Sequence, residues 1–145
     1  MCVSRPRRFG KSTAADMLAA YYGRNEDTSV LFEKLKISQE QSYQKHLNKY
    51  DVIKINMQEF LSMSESVEDM LSILQMRLIK DLKSAYPEVV SSDRLIFAMQ
   101  DVFAETKCQF VILIDEWDCL FREYKQDKEL QKKYLDFLRM WLKNK

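Results

Sequence analysis

The sequence predicts an α/β fold with a parallel sheet, and three features of the 145-residue chain lead to that prediction. Residues 51–57, DVIKINM, alternate apolar and polar side chains and include β-branched residues, which is typical of a strand. Residues 108–115, CQFVILID, contain a continuous apolar run, which is typical of a strand covered by helices on both faces. Long helical patterns alternate with these strands, and such alternation favours a parallel sheet.

The first third of the chain predicts one clear helix followed by short helical pieces. Residues 2–4, CVS, fit the end of a strand. Residues 11–22, KSTAADMLAAYY, predict a helix because they are rich in helix formers, and Gly23 is well placed to end it. Residues 30–37 and 39–50 predict short helical segments before the strand at 51–57.

A long amphipathic helix is predicted over Val67–Ala85. Ser66 and Asp69 offer a capping box at its start, and Tyr86-Pro87 ends it, because the residue before a proline disfavours helical geometry. Its apolar stripe consists of Met70, Leu71, Leu74, Leu78 and Leu82.

Two further helices are predicted over residues 93–106 and Lys128–Lys143. The first carries apolar residues on one side, namely Leu95, Ile96, Met99, Val102 and Phe103. The second places five apolar residues together, namely Leu130, Tyr134, Phe137, Leu138 and Trp141. Residues at this spacing are more often core than a platform for stacking bases.

Composition excludes several classes of protein. The net charge is +1, so no bulk field indicates nucleic acid or an acidic membrane surface. Apolar runs are far short of the roughly 20 residues that span a bilayer, and no secretion signal is recognisable. The cysteines, Cys2, Cys108 and Cys119, are odd in number and lack C-x-x-C spacing. We therefore expect neither disulfides nor a zinc site, and a cytoplasmic location.

The sequence Gly10-Lys11-Ser12-Thr13 is how a phosphate-binding loop ends, directly before a predicted helix. Backbone N–H groups at a helix N-terminus bind phosphate, and glycine lets the backbone approach the phosphate closely. The lysine can contact the terminal phosphates, and the serine hydroxyl can bind magnesium. Arg5 stands where such loops usually have their first glycine. Taken alone, the segment could equally be a capped, basic helix start.

A second segment with candidate functional residues is FVILIDEWD, residues 110–118. Asp115 ends an apolar strand and could orient the water shell of magnesium, which prefers oxygen ligands. Glu116 could then polarise the water that attacks a terminal phosphate. A buried strand also commonly ends in an acid because the chain meets solvent there. The joint occurrence of this segment with Gly-Lys-Ser favours a two-part nucleotide site.

Four segments in this order resemble the AAA-ATPase-like family, namely RPRRFGKS, LFEKLKI, HLNKYDVIKINM and FVILIDEWD. In that bacterial family a P-loop ATPase domain is often joined to a nuclease-like domain of the PD-(D/E)xK superfamily. The resemblance implies a P-loop NTPase three-layer sandwich, with a nuclease-like domain or another protein as partner. It also implies ATP and Mg²⁺ as cofactors, and it accounts for Arg5, because the family's loop has arginine there.

By similarity, phosphate contacts are expected from Arg8, Phe9, Gly10, Lys11, Ser12 and Thr13. Ser12 and Asp115 would serve magnesium, and Glu116 would be the catalytic acid that activates water. Asp118 matches the second acid of the family's pattern without an assigned role. ATP in preference to GTP rests on this resemblance, since no guanine-reading N-K-x-D segment is present.

Families of this kind continue past the Asp-Glu strand to a strand with a polar sensor residue, and this sequence stops at Lys145. The resemblance therefore implies a partial domain over residues 1–145, with a clipped first strand and an absent C-terminal half. Hydrolysis is expected of the intact form, and hydrolysis by this chain alone stays open. If the remainder is absent, the apolar stripe of the last helix is expected to be exposed.

Two alternative functions remain open from the residues. One is a non-catalytic interaction fragment that keeps the motifs of the fold. The other is a basic nucleic-acid-binding module built on Arg5, Arg7, Arg8 and Lys11. His46 has no partners at metal-binding spacing and is expected to be an ordinary helix residue.

Overall fold

The structure is a computed structural model, and it describes residues 11–143, with side chains from residue 14 onward. The helices are α1 (Lys11–Tyr22), α2 (Tyr43–His46), α3 (Met57–Met63), α4 (Val67–Ala85), α5 (Leu95–Thr106), α6 (Cys119–Glu123) and α7 (Lys128–Lys143). The strands are β1 (Asp51–Asn56) and β2 (Phe110–Asp115), and short 3-10 helices span Ser29–Leu31 and Lys36–Gln39. The strand predicted at residues 2–4 lies outside the described residues.

These residues form two compact units. Unit 1 comprises residues 11–55 and 108–115, and unit 2 comprises residues 56–107 and 116–143. The prediction of an α/β chain is confirmed at that level, because unit 1 contains a parallel pair of strands and the remainder is helical.

The sheet of unit 1 pairs β1 with β2, and the Asp51 amide donates to the Gln109 carbonyl at 3.1 Å at its beginning. A parallel bridge between Gly23 and Tyr50 extends the pairing toward the end of α1. Every residue of β2 is half-buried. The sequence predicted a strand covered on both faces, and the observed burial is lower because the described sheet has only two strands.

Helix α1 runs antiparallel to β1. At its C-terminal end, the Tyr50 amide donates to the Tyr22 carbonyl at 2.9 Å and the Arg24 amide donates to the Tyr50 carbonyl at 3.0 Å. Nearer its beginning, Asp16 forms an ion pair with Lys54, close to the end of β1. The N-terminus of α1 therefore lies toward the carboxyl ends of the two parallel strands.

Gly23 follows α1 directly, as predicted, but not because it adopts a left-handed conformation. A Cβ atom at this position would lie 2.9 Å from the Ala19 carbonyl oxygen, which is closer than real Cβ contacts. The Gly23 amide also donates to that oxygen at 2.9 Å. Glycine is therefore required by the close approach of the chain to the last turn of α1.

The side chains of Asn48 and Thr28 hydrogen-bond carbonyl groups at the C-terminal end of α1. Asn48 Nδ2 donates to the Ala20 carbonyl at 3.2 Å, the Gly23 carbonyl at 2.7 Å and Thr28 Oγ1 at 2.9 Å. Thr28 Oγ1 donates in turn to the Ala20 carbonyl at 2.5 Å. These bonds satisfy carbonyl groups that a helix end leaves without partners.

Unit 2 is a helical assembly in which α4 contacts α3, α5 and α7. The stripe predicted for α4 is buried at Met70, Leu74, Leu78 and Leu82 and half-buried at Leu71. One half of the predicted capping box is present, because Ser66 Oγ accepts from the Asp69 amide at 3.1 Å. The Asp69 carboxylate accepts from the Glu65 amide at 3.0 Å, one residue before the expected partner.

The apolar stripe of α7 is buried within unit 2, so the expectation of an exposed stripe was wrong. Tyr134 is fully buried and Trp141 is 2% exposed. The Trp141 indole N–H donates to Met99 Sδ of α5 at 3.1 Å. The stripe is covered within unit 2, because α7 packs against α4 and Trp141 contacts Met99 of α5.

Three smaller differences separate the predicted elements from the observed ones. Helix α5 begins at Leu95, two residues later than predicted, and Phe103 is exposed. Met57, assigned to the strand, instead begins α3 after Asn56, whose side chain accepts from the Gln58 amide and caps that helix. Helices α3 and α6 were not predicted, because each follows a strand with too few residues to show a helical period.

Candidate functional site

The predicted phosphate-binding segment is described only in part. Arg8, Phe9 and Gly10 lie outside the described residues, as do Arg5 and Arg7. Lys11, Ser12 and Thr13 form the first turn of α1, and their side chains lie outside the described atoms. A phosphate-binding loop of this type leads into a helix at its lysine, and Lys11 is helical, as part of α1.

Asp115 is the last residue of β2, at the carboxyl end of the parallel pair. Helix α1 contacts β2, and its antiparallel course relative to β1 directs its N-terminus toward that end. Unit 1 thus brings the start of α1 and the Asp115 end of β2 to the same edge of the sheet. In open α/β sheets, ligands bind at the carboxyl ends of the strands.

Glu116 follows Asp115 and has a left-handed backbone, with φ of 53°. This region is uncommon for residues other than glycine, and a residue is kept there only by its surroundings. The Glu116 carbonyl accepts from the Cys119 amide at 3.1 Å as the chain turns into α6. The Glu116 carboxylate forms an ion pair with Arg122 of α6.

Arg122 contacts Glu116 within unit 2, and the sequence did not single it out. Its guanidinium bonds Glu116 Oε2 through Nη2, and the same nitrogen lies 3.8 Å from Asp118 Oδ1. Desolvation alone would lower the pKa of Arg122, but the hydrogen bond to Glu116 and the charge of Asp118 raise it overall. The spacing of four residues between Asp118 and Arg122 is the sequence signal that identifies such a pair on a helix.

Trp117, the residue after Glu116, contacts both α7 and α6. The Trp117 carbonyl accepts from the Tyr134 hydroxyl at 2.6 Å, and the Trp117 ring packs edge-on against Phe121. Burial raises the pKa of Tyr134, so this hydroxyl keeps its proton and remains a donor. Asp118 precedes α6 directly, with no hydrogen bond from its side chain to the first turn of that helix.

Cys119 lies in α6 and His46 lies in α2. Cys119 is fully buried, and burial raises the pKa of its thiol to about 11, so it carries no reactive thiolate near neutral pH. His46 is half-buried in α2, stacks on Tyr50 and hydrogen-bonds its hydroxyl. Among the described residues, no group of three or more His, Cys, Asp or Glu side chains is arranged to hold a metal ion.

A model of the family described as Predicted AAA-ATPase matches residues 1–145, the whole chain. The chain belongs to this AAA-ATPase-like family. Membership implies the use of nucleotide and metal in general. A search among curated proteins and a search among solved structures found no match.

The residues present fit a magnesium ion in their chemistry. Asp115 supplies a carboxylate at the strand end, and carboxylate and hydroxyl oxygens are the donors that Mg²⁺ prefers, with water filling the rest of its shell.

In the part of the chain that the structure describes, no helix has the length and apolar character needed to cross a membrane.

Proposed function

We propose that the chain is an ATP-binding P-loop domain of AAA-like type, with the three-layer sandwich of that fold in its intact form. One observation carries the proposal. Helix α1 includes Lys11, runs antiparallel to β1, and has its N-terminal part at the edge of the sheet where β2 ends in Asp115. A strand-end acid at the same edge of the sheet as the N-terminal part of a helix that contains Lys-Ser is the arrangement by which P-loop NTPases hold Mg–ATP.

Each residue would then have a distinct task. The amides of Gly10 to Thr13 and the helix dipole would hold the phosphates, with Arg8 and Phe9 completing the loop. Lys11 would neutralise the terminal phosphates as a point charge. Ser12 and Asp115 would hold or orient the hydrated magnesium ion, which would offset charge on the phosphate oxygens.

Glu116 would act on the attacking water. A carboxylate within hydrogen-bond reach of that water can accept its proton as the bond to the terminal phosphorus forms. Glu116 follows Asp115 directly in the chain, so a nucleotide held by the magnesium ligand would lie near it. Whether turnover occurs depends on how closely the carboxylate approaches the water.

The test is a titration of the purified chain with a fluorescent ATP analogue, with and without magnesium. We expect saturable binding that magnesium strengthens and that Lys11→Ala weakens by at least tenfold. Lys34→Ala is the matched control, because Lys34 is an exposed lysine in the same unit and its removal changes the net charge equally. Asp115→Asn should remove most of the gain from magnesium while leaving metal-free binding unchanged.

Two results would contradict the proposal. A folded chain that binds no nucleotide would favour an interaction fragment that retains the motifs. Equal binding by Lys11→Ala and Lys34→Ala, together with DNA binding that weakens steeply with salt, would instead favour a nucleic-acid-binding module.

A further inference from the structure

The backbone of Glu116 has to be held in place by other residues. Its φ of 53° is one that side chains bearing a Cβ rarely adopt. Such a conformation persists only where surrounding contacts fix it, and it is found most often at functional sites. The contacts that hold Glu116 therefore decide where its carboxylate lies.

Two contacts from α6 meet Glu116. The Cys119 amide fixes its carbonyl oxygen, and the Arg122 guanidinium fixes its carboxylate through Oε2. The Glu116 side chain is 20% exposed and that of Arg122 is 34% exposed, so the pair is partly shielded from water. Shielding strengthens a charge-assisted hydrogen bond and makes its geometry more specific than that of an exposed pair.

Arg122 is itself held by the helix that carries it. Cys119 and Leu120 in the first turn of α6 are fully buried and fix the helix within unit 2. The guanidinium also lies 3.8 Å from Asp118 and so balances more than one carboxylate. Its Nε is buried without a hydrogen-bond partner among the described atoms.

We propose that Arg122 is a positioning residue that holds the Glu116 carboxylate in its working orientation, an inference that rests on the function proposed above. Arg122 does not touch the nucleotide in this role. It fixes the rotamer of Glu116, so that the carboxylate is already oriented toward the attacking water and no side-chain entropy has to be lost during the reaction. Displacement of a reacting group by about 1 Å costs up to a hundredfold in rate.

The experiment is single-turnover hydrolysis of radiolabelled ATP by the full chain, with the dissociation constant for Mg–ATP measured in parallel. We expect Arg122→Ala to lower the rate constant about tenfold while the dissociation constant changes less than twofold. Arg122→Lys, which keeps the charge, should restore part of the rate. Arg139→Ala is the matched control, because Arg139 is an exposed arginine of the same unit and its loss should leave the rate unchanged. Far-UV circular dichroism checks that each variant folds.

The decisive measurement repeats Arg122→Ala in a Glu116→Gln background. Glu116→Gln alone should lower the rate by about a hundredfold or more. If Arg122 acts through Glu116, its removal costs less than twofold further in that background.

An equal loss in both backgrounds overturns the inference, and so does a rate for Arg122→Ala within twofold of wild type. A chain that binds Mg–ATP through Lys11 but releases no phosphate overturns it as well, because Glu116 would not then be held productively. Failure of the proposed function is distinguishable, since it appears as the absence of binding that depends on Lys11.

Discussion

The two units of the chain differ in the contacts that stabilise each of them internally. Unit 2 has an extended apolar core in which residues from α3 to α7 are completely buried, among them Met57, Met70, Leu74, Val102 and Tyr134. Unit 1 has a small hydrophobic cluster, formed by three aromatic residues and a leucine, namely Tyr21, Phe32, Tyr43 and Leu47. Large apolar side chains are exposed in both units, for example Val30 at 70% in unit 1 and Met76 at 65% in unit 2.

Directed polar contacts hold much of unit 1. The Tyr21 hydroxyl donates to the Tyr43 carbonyl at 2.7 Å, and Arg24 donates to both carboxylate oxygens of Asp51 at 2.7 and 3.2 Å. Apolar burial stabilises without fixing direction, whereas hydrogen bonds add less free energy but set orientation. Among the described residues, apolar burial is more extensive in unit 2, whereas in unit 1 directed contacts fix the direction of α1 relative to the strands.

The largest expected effect tests the core of unit 2. Leu74→Ala removes a fully buried side chain from α4 and should lower the free energy of unfolding by about 2–5 kcal/mol. Met76→Ala, in the same helix but 65% exposed, should change it by less than about 0.5 kcal/mol. Urea unfolding followed by circular dichroism measures both. Similar losses in the two variants would mean that burial in α4 is not what stabilises unit 2.

The next effect concerns pH and the buried thiol of unit 2. The pKa of Cys119 is raised from 9.0 to about 11, so the folded state binds this proton more tightly than the unfolded state. Its contribution to stability is complete below pH 9 and is lost as pH rises through 11, amounting to about 2–3 kcal/mol.

Cys119→Ala isolates that contribution, because every other titrating group is common to both proteins. The variant should be less stable at pH 7, since it lacks a buried atom, but should lose less stability than wild type between pH 9 and pH 11. Parallel declines in the two proteins would show that the thiol is not the group responsible.

The smallest expected effect is a difference of about 1 kcal/mol between two variants of Asn48 in unit 1. Asn48 has φ of 54° and bonds the end of α1 through its side chain. Asn48→Ala should cost about 2–3 kcal/mol, because it loses those bonds and keeps a strained backbone. Asn48→Gly loses the same bonds but tolerates positive φ, so it should cost about 1 kcal/mol less.

Hydrogen exchange locates the change produced by the Asn48 variants. Amides of α1 should lose protection, whereas those of α4 should not, because α4 belongs to the other unit. Equal loss in α1 and α4 would break the comparison, since it would mean that the two units unfold together.

Much of the fold could be predicted from local patterns. The bounds of α1, α4 and α7 agree with the prediction because each has a sustained apolar period or a run of helix formers and a clear end. Asp115 was correctly expected at the end of a strand. The roles assigned to Lys11, Ser12 and Glu116 stay predictions, as do the partial domain, the partners and the cytoplasmic location.

By itself, the sequence determined the family, the long helices, both strands and the candidate acids, because those features depend on residue type and short-range spacing. Only the tertiary structure decided which end of the sheet α1 approaches, how α7 is covered, and that Glu116 has a left-handed backbone and an ion pair with Arg122. These features depend on contacts between residues whose proximity follows from how the elements pack, and no local pattern in the chain encodes that packing.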